Sequence, residues 1–259
     1  MNANETVKVQ QDGWVATLTI DFPPANALNS RVYEGLEFQL KRLIDEGEVR
    51  AAVLTGAGER VFVGGADVSE LKTFDTQKLE AYIQLNRRVF RLIEEAAFPV
   101  ICALNGHAFG GGCELAMVCD MRVAHAKVKM GQPEVTVGVI PGAGGTQRLP
   151  RLIPQGKAMW MLLTGQGVDA RTAEAMGLID FVVESDPLQE AQGIAGKIAQ
   201  QAPLAVKAIK RSVRSGVEMP LAQALELEAQ LSLEVSNTED AQEGYRAFGE
   251  KRPPDFKGR

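Results

Sequence analysis

The stretch NGHAFGGGCELAMVCD, residues 105–120, decides how the rest of the chain is read. It offers a break at Asn105-Gly106, three consecutive glycines from Gly110 to Gly112, and then Cys113-Glu114-Leu115-Ala116, the first turn of a helix. Just before it, residues 99–104 form a short apolar run that reads as a buried strand, and residues 121–124 resume a strand after it. Strand, glycine-rich turn, helix and strand make a unit of an α/β layer arrangement. A helix that opens straight after glycines directs unpaired N–H groups and partial positive charge at its neighbour, and an anionic oxygen is the natural guest. Glu114 is the unusual residue, because the rest of that helix face is Cys, Leu, Ala, Met and Val. It is either a surface acid that complements the dipole or a carboxylate held against an apolar pocket.

Outward from this stretch the pattern repeats without a strict sequence repeat. Residues 14–21 alternate, with Trp14, Ala16, Leu18 and Ile20 on one side, and read as a half-buried strand. A loop holding Asn26-Ala27-Leu28-Asn29 leads to a helix capped by Asn29 or Ser30 that runs to about Gly47 and turns Val32, Leu36, Leu40, Leu43 and Ile44 inward. Residues 51–55 read as a strand buried on both faces. Residues 61–63 form a strand that enters Gly64-Gly65 and then a short helix. The long helix over residues 75–97 carries Leu79, Ile83, Phe90 and Ile93 at helical spacing and is stopped by Pro99. From Gly131 the chain turns rich in glycine and proline, and after Pro154 helices dominate. Asp169 caps a short helix ending at Gly177, and residues 178–184 give one more strand. Everything after Asp186 reads as helix, including residues 220–237 with Ala224, Leu227, Leu231 and Val235 on one face. The expected organisation is an α/β core over residues 1–200 and a helical region over residues 201–259 whose apolar faces need a partner surface.

Composition narrows the function classes. A chain of 259 residues with 45% hydrophobic and 24% charged residues has the make-up of a folded globular protein, which excludes extensive disorder. A net charge of −5 argues against a protein whose main business is binding nucleic acid. The cysteines, Cys102, Cys113 and Cys119, are three and unpaired in pattern, which fits a reducing compartment. The opening residues are polar, without a signal-peptide pattern, and no apolar run reaches the length of a membrane span, so a cytoplasmic location is expected. Only His107 and His125 are available for histidine chemistry, and no HExxH or zinc-type cysteine spacing occurs, so no metal is expected and a carboxylate mechanism moves forward.

Gly110-Gly111-Gly112 and Gly142-Ala143-Gly144-Gly145-Thr146 both fail as phosphate loops, since neither carries the lysine or the glycine spacing those loops require. What is left is a set of backbone donors for an oxyanion. Gly64-Gly65-Ala66 is a third such turn after a strand; beside Gly111, its N–H groups and those of Gly111 would converge on one carbonyl oxygen. The plainer reading is three tight strand-to-helix turns. Glu134, in Gly131-Gln132-Pro133-Glu134, reads alone as a loop acid; paired with Glu114 it would give two carboxylates in one apolar site, one protonated and one ionised. Lys207, Lys210, Arg211 and Arg214 fall on one helix face and read as a solvated face rather than a polyphosphate site. His107 reads as a loop histidine donating to backbone.

Taken together, residues 62–68, 105–120 and 131–149, the loop at residues 26–29 and the tail at residues 248–252 resemble the crotonase (enoyl-CoA hydratase/isomerase) superfamily over nearly the whole chain. The resemblance implies an α/β spiral of β-β-α turns with a helical C-terminal region that makes trimers, often paired into hexamers. It implies an oxyanion hole from the N–H groups of Ala66 and Gly111, Glu114 and Glu134 as catalytic acids and bases, and Gly142 helping to place a water. Coenzyme A would be contacted by Ala27, Gly64, Gly65, Ala66, Asp67 and Val68, with Phe248 and Lys251 reaching the coenzyme of a neighbouring subunit. Gly64 departs from the alanine common at that position. Presence of both glutamates implies hydration of a trans-2-enoyl-CoA to a 3-hydroxyacyl-CoA, in fatty-acid or related acyl-CoA degradation, with no cofactor beyond the coenzyme A of the substrate. The alternatives are an isomerase, or a hydratase or hydrolase for a branched, cyclic or aromatic acyl group. The acyl pocket is expected to draw on residues 71–90.

Overall fold

The computed structural model describes residues 5–259; residues 1–4, the start of the polar opening segment, lie outside them. The chain begins with an antiparallel hairpin, β1 (Val7–Asp12) and β2 (Val15–Ile20), followed by α1 (Ser30–Glu46) and β3 (Ala51–Gly56). Next come β4 (Val61–Val63), α2 (Val68–Leu71), α3 (Thr76–Glu95), β5 (Val100–Leu104), β6 (His107–Phe109) and α4 (Gly111–Val118). β7 (Met121–His125) and β8 (Lys129–Gly131) lead through a 3-10 turn, Glu134–Val137, to α5 (Gly145–Leu152) and α6 (Gln155–Thr164). β9 (Val168–Asp169), α7 (Ala170–Met176) and β10 (Phe181–Val183) follow. The remainder is helical: α8 (Pro187–Ala199), α9 (Pro203–Gly216), α10 (Leu221–Ser236) and α11 (Glu239–Glu250).

The strands sort into a six-stranded sheet, ordered β1-β2-β3-β5-β7-β10, and a four-stranded sheet, ordered β4-β6-β8-β9. Successive turns of chain give one strand to the larger sheet and the next to the smaller: β3 then β4, β5 then β6, β7 then β8. This is a β-β-α spiral. Alternation along β3 and β5 divides the interior in two, because neighbouring side chains on a strand point to opposite faces. Ala51, Val53, Ile101 and Ala103 pack with Ala191 and Ala195 of α8. Ala52, Leu54, Cys102 and Leu104 face the main core, with Leu36 and Leu40 of α1 and Val89 and Phe90 of α3. Both faces of the sheet are covered, which is why these strands are apolar throughout rather than alternating.

The helix boundaries follow from their caps. The Asn29 side chain accepts from the Val32 N–H at 2.9 Å, and Gly47 ends α1 in the left-handed conformation. Asp75 and Asp169 cap α3 and α7 in the same manner, and Gly177 closes α7. On α10, Leu231 is buried and Ala224, Leu227 and Val235 are half-buried, as the apolar stripe requires.

Several expectations are corrected. Trp14 is 47% exposed rather than facing the core: it sits at the hairpin turn, and the Arg50 guanidinium stacks 3.7 Å over its ring. Leu79 is 43% exposed, because the buried face of α3 runs through Tyr82, Leu85, Asn86, Val89, Phe90 and Ile93. Lys210 and Arg214 do not belong to a solvated face. Lys210 is buried, its Nζ donating to Ile93 O (2.9 Å) and Phe98 O (3.0 Å) and pairing with Asp120 Oδ2 at 2.9 Å. Arg214 donates to Asp120 Oδ1 at 2.8 Å and Val118 O at 2.6 Å. These two cations fasten α9 to the ends of α3 and α4, while Lys207 and Arg211 alone remain exposed. His107 lies in β6 and accepts at Nδ1 from the Lys129 N–H at 3.1 Å, rather than donating to backbone from a loop.

Candidate active site

Three strands of the smaller sheet, β4, β6 and β8, run parallel, and each ends at a piece of the site. β4 enters Gly64-Gly65-Ala66, β6 enters Gly110 and α4, and β8 enters Gln132-Pro133-Glu134. Parallel neighbours end on one side, so three loops distant in sequence meet at the carboxyl edge of the sheet, where α/β folds place their ligands. Gly112 sets how closely they meet. A side chain there would collide with the Val63 carbonyl oxygen, so only glycine lets α4 start directly against the end of β4.

That contact lays Gly111 beside Ala66: a methyl group on Gly111 would stand 3.7 Å from the Ala66 nitrogen. Ala66 pairs with Leu28 in an isolated parallel bridge, through Leu28 N to Gly65 O (2.8 Å) and Asp67 N to Leu28 O (3.0 Å). Those bonds use the flanking residues, so the N–H of Ala66 itself points the other way. Gly111 opens α4, where the leading N–H groups have no acceptor within the helix. Two backbone donors from different segments therefore lie together at the positive end of a helix.

Glu114 is 3% exposed. Its Oε1 accepts from Ala143 N at 2.8 Å and Gly145 N at 2.7 Å. Burial pushes its pKa up, while those two N–H groups and the positive charge of Arg148 pull against the rise. The donors of the second glycine run thus meet a carboxyl oxygen of the protein's own glutamate. Glu134, half-buried at the start of the 3-10 turn, places Oε1 2.9 Å from where a methyl group on Gly110 would be. Burial pushes its pKa up to about 7, and the charge of Glu114 adds to the rise. Gln132 is fully buried, and its amide nitrogen, turned toward Glu134, reaches both carboxylate oxygens at 3.1 and 3.2 Å. The buried Cys113 thiol is also pushed well up, chiefly by desolvation and further by both glutamates, which disfavours a thiolate.

Gly142 is exposed and immediately precedes the Ala143 donor. It lines a cavity of ≈ 780 Å³ together with Asn86, Phe90, Met117 and Arg148. The loop holding Ala27 is zipped to the β4 loop through Gly64 N to Ala25 O at 2.9 Å and the Leu28–Ala66 bridge. Asn26 ties the same loop to the carbonyls of Ala57, Val61 and Phe62, and Tyr82 donates to Leu28 O at 2.8 Å. Gly64 and Val68 are exposed, Ala27, Ala66 and Asp67 are half-buried, and the Asp67 carboxylate caps α2 through Ser69 N at 2.9 Å. Phe248, 88% exposed, lies on α11 and Lys251 just past its end, and neither makes a hydrogen bond to these loops among the described residues. Sequence reasoning missed Ala143 and Gly145 as the groups that hold Glu114, and Arg148 and Gln132 beside the two acids. The glycine run after Gly142 was the available signal for the first pair; a lone arginine and a lone glutamine carry none.

Backbone donors flanked by two carboxylates of unequal proton affinity define a site that polarises a carbonyl group and moves protons beside it. Residues 10–259 match the family model described as enoyl-CoA hydratase/isomerase, and the chain belongs to that family. It is 42% identical to the short-chain-enoyl-CoA hydratase of Clostridium acetobutylicum over 254 residues, which is 97% of each chain. It is 39% identical to the crotonyl-CoA hydratase of Syntrophomonas wolfei over 256 residues, 98% of each. The crystal structure of an enoyl-CoA hydratase from Bacillus anthracis superposes with a TM-score of 0.95 at 37% identity, covering 98% of this chain and 100% of that one.

Proposed function

We propose that this chain is an enoyl-CoA hydratase, adding water across the double bond of a trans-2-enoyl-CoA thioester to give a 3-hydroxyacyl-CoA. The observation that carries the reading is the unequal pair of acids: Glu114, held by two backbone N–H groups, and Glu134, pushed up to about 7 at the edge of the glycine turn. Glu114 takes a proton from water as the water oxygen bonds to the β-carbon. The π electrons move toward the thioester carbonyl, whose oxygen gains negative charge between the N–H groups of Ala66 and Gly111. Glu134, protonated, gives its proton to the α-carbon as the enolate collapses. Each acid ends in the other's starting state, and one proton returned through solvent resets the site. Gly142 positions the water at the exposed mouth of the Glu114 loop.

The coenzyme A portion lies along Ala27 and Gly64, Gly65, Ala66, Asp67 and Val68, two loops that the backbone joins into one surface. It arrives with the substrate, and the reaction uses no redox partner and no metal. Apolar side chains exposed on α9, α10 and the turn between them, among them Val213, Val217, Leu221, Leu225 and Leu233, support assembly into a trimer or a dimer of trimers. Phe248 and Lys251 would then reach the coenzyme of a neighbouring subunit. No helix among the described residues is long and apolar enough to cross a membrane, and a cytoplasmic location is the reading that fits three buried, unpaired cysteines.

The test is the loss of absorbance of a conjugated enoyl thioester such as crotonyl-CoA on addition of the enzyme. Glu114→Gln and Glu134→Gln should each slow turnover by roughly 10³-fold or more. Near-normal hydration by both variants would overturn the mechanism.

A further inference from the structure

Arg148 stands one layer behind Glu114, bonded to the turn that holds it, and its placement is unusually determined. Its guanidinium makes a two-pronged pair with Glu94 on α3, Nε to Oε1 at 2.9 Å and an Nη to Oε2 at 3.0 Å. The other Nη donates to the Ala143 carbonyl at 3.0 Å. Phe90 lies beneath, with its ring centroid 5.9 Å from the guanidinium carbon. Gly144, at φ 104, leaves the space that the guanidinium crosses: any side chain at that position would collide with it. The turn and the arginine are therefore fitted to one another.

The same turn carries the two N–H groups that hold Glu114, from Ala143 and Gly145. A turn with a glycine on each side of Ala143 has little stiffness of its own, and a rigid fork donating to its central carbonyl supplies it. We propose that Arg148 is a positioning residue for hydration: anchored by Glu94, it fixes the turn so that both N–H groups converge on Glu114 Oε1. Its positive charge acts on the same carboxylate through space, opposing the effect of burial. Arg148 touches no reacting atom in this role. The inference rests on Glu114 being the base of the proposed reaction.

Two substitutions separate orientation from charge. Arg148→Met removes both, and is expected to lower kcat on the order of a hundredfold with KM for crotonyl-CoA changed by less than about threefold. Loss of the cation also raises the proton affinity of Glu114, so the acid limb of the kcat–pH profile should move up by about one pH unit. Glu94→Gln leaves the cation but breaks the fork. It should lower kcat without moving the acid limb upward. Arg148→Lys, with charge but no fork, should resemble Glu94→Gln, and it stands in should Arg148→Met fail to fold. Wild-type kcat and an unshifted acid limb in a folded Arg148→Met, or wild-type kcat in both Arg148→Lys and Glu94→Gln, overturns the proposal. Glu114→Gln in the same assay keeps the two readings distinct. If it abolishes hydration while the arginine variants are unaffected, the mechanism stands and the positioning role falls; if the native chain does not hydrate crotonyl-CoA, the mechanism itself falls.

Discussion

Glu134 Oε1 lies 2.9 Å from the point where a methyl group on Gly110 would stand, so the carboxylate and the first residue of the glycine run fill one another's space. Gly110 also holds φ at 53 and donates to Gly131 O at 2.9 Å, which keeps the two loops in register. Gly110→Ala is thus expected to displace the acid and strain the backbone by about 1–2 kcal/mol. Turnover should fall by roughly a hundredfold or more while the fold persists, as measured by enoyl thioester hydration alongside circular dichroism.

The raised pKa of Glu134 has a stability consequence of definite sign. The folded chain binds a proton at this group up to about pH 7, whereas an unfolded carboxyl releases it near the ordinary glutamate value of 4.5. Between those values the native state holds more protons, so stability falls as pH rises through the window. Glu134→Gln removes the cost. After discounting for the partial exposure of the group, it should gain roughly 1–2 kcal/mol at pH 8 and little at pH 4, read from urea unfolding at each pH.

The same titration shapes activity. Delivery of a proton by Glu134 requires the protonated form, so kcat should decline above about pH 7. A basic limb centred above pH 9 would assign the donor elsewhere.

Lys210 fastens α9 to the core through Ile93 O, Phe98 O and Asp120. Burial lowers its pKa and Asp120 opposes that shift, so the ammonium depends on its partner. Lys210→Ala strips a donor from two carbonyls, while Asp120 keeps Arg214 as its partner, and should cost about 2–3 kcal/mol in denaturant unfolding. Lys207→Ala, on the same helix but exposed, should stay within about 0.5 kcal/mol of the native protein.

Tyr82 donates to Leu28 O and so steadies the loop that carries Ala27. Tyr82→Phe deletes one hydrogen bond while Asp67 N keeps the carbonyl partnered. It should cost about 1 kcal/mol of stability and raise KM for acyl-CoA more than it lowers kcat, as steady-state kinetics will show.

Much of this was legible from residue patterns. Asn29 and Gly47 bracket α1, Asp169 and Gly177 bracket α7, and the apolar run at residues 51–55 is buried on both sides. Apart from β4, marked by the glycine pair that follows it, the shortest strands of the smaller sheet were not legible. β6, β8 and β9 span two or three residues each, too few for any period to emerge, and β1 is a largely polar edge strand with little apolar alternation. Lys210 misled for a related reason: a cation at helical spacing gives no local sign that Asp120, ninety positions away in the chain, is waiting for it. At the candidate site, the glycine runs announced backbone donors but not their guests. Gly142 to Gly145 serve Glu114, a relation that exists only once α4 and α5 are packed.

The parallel pairing of β4 and β6 has a bearing on how such a protein diversifies. The spacing between the Ala66 and Gly111 segments is set by backbone, the pairing of β4 with β6 and the bare Gly112 against the Val63 carbonyl, as marks are set on a ruler. The wall of the cavity beside Gly142, by contrast, includes helix surface of α3, at the half-buried Ile83 and the exposed Arg87 and Arg91. Mutational drift on that wall can reshape the cavity and leave the ruler unread. Libraries randomised at Ile83, Arg87 and Arg91 alone should therefore yield active protein of altered substrate range more often than inactive protein.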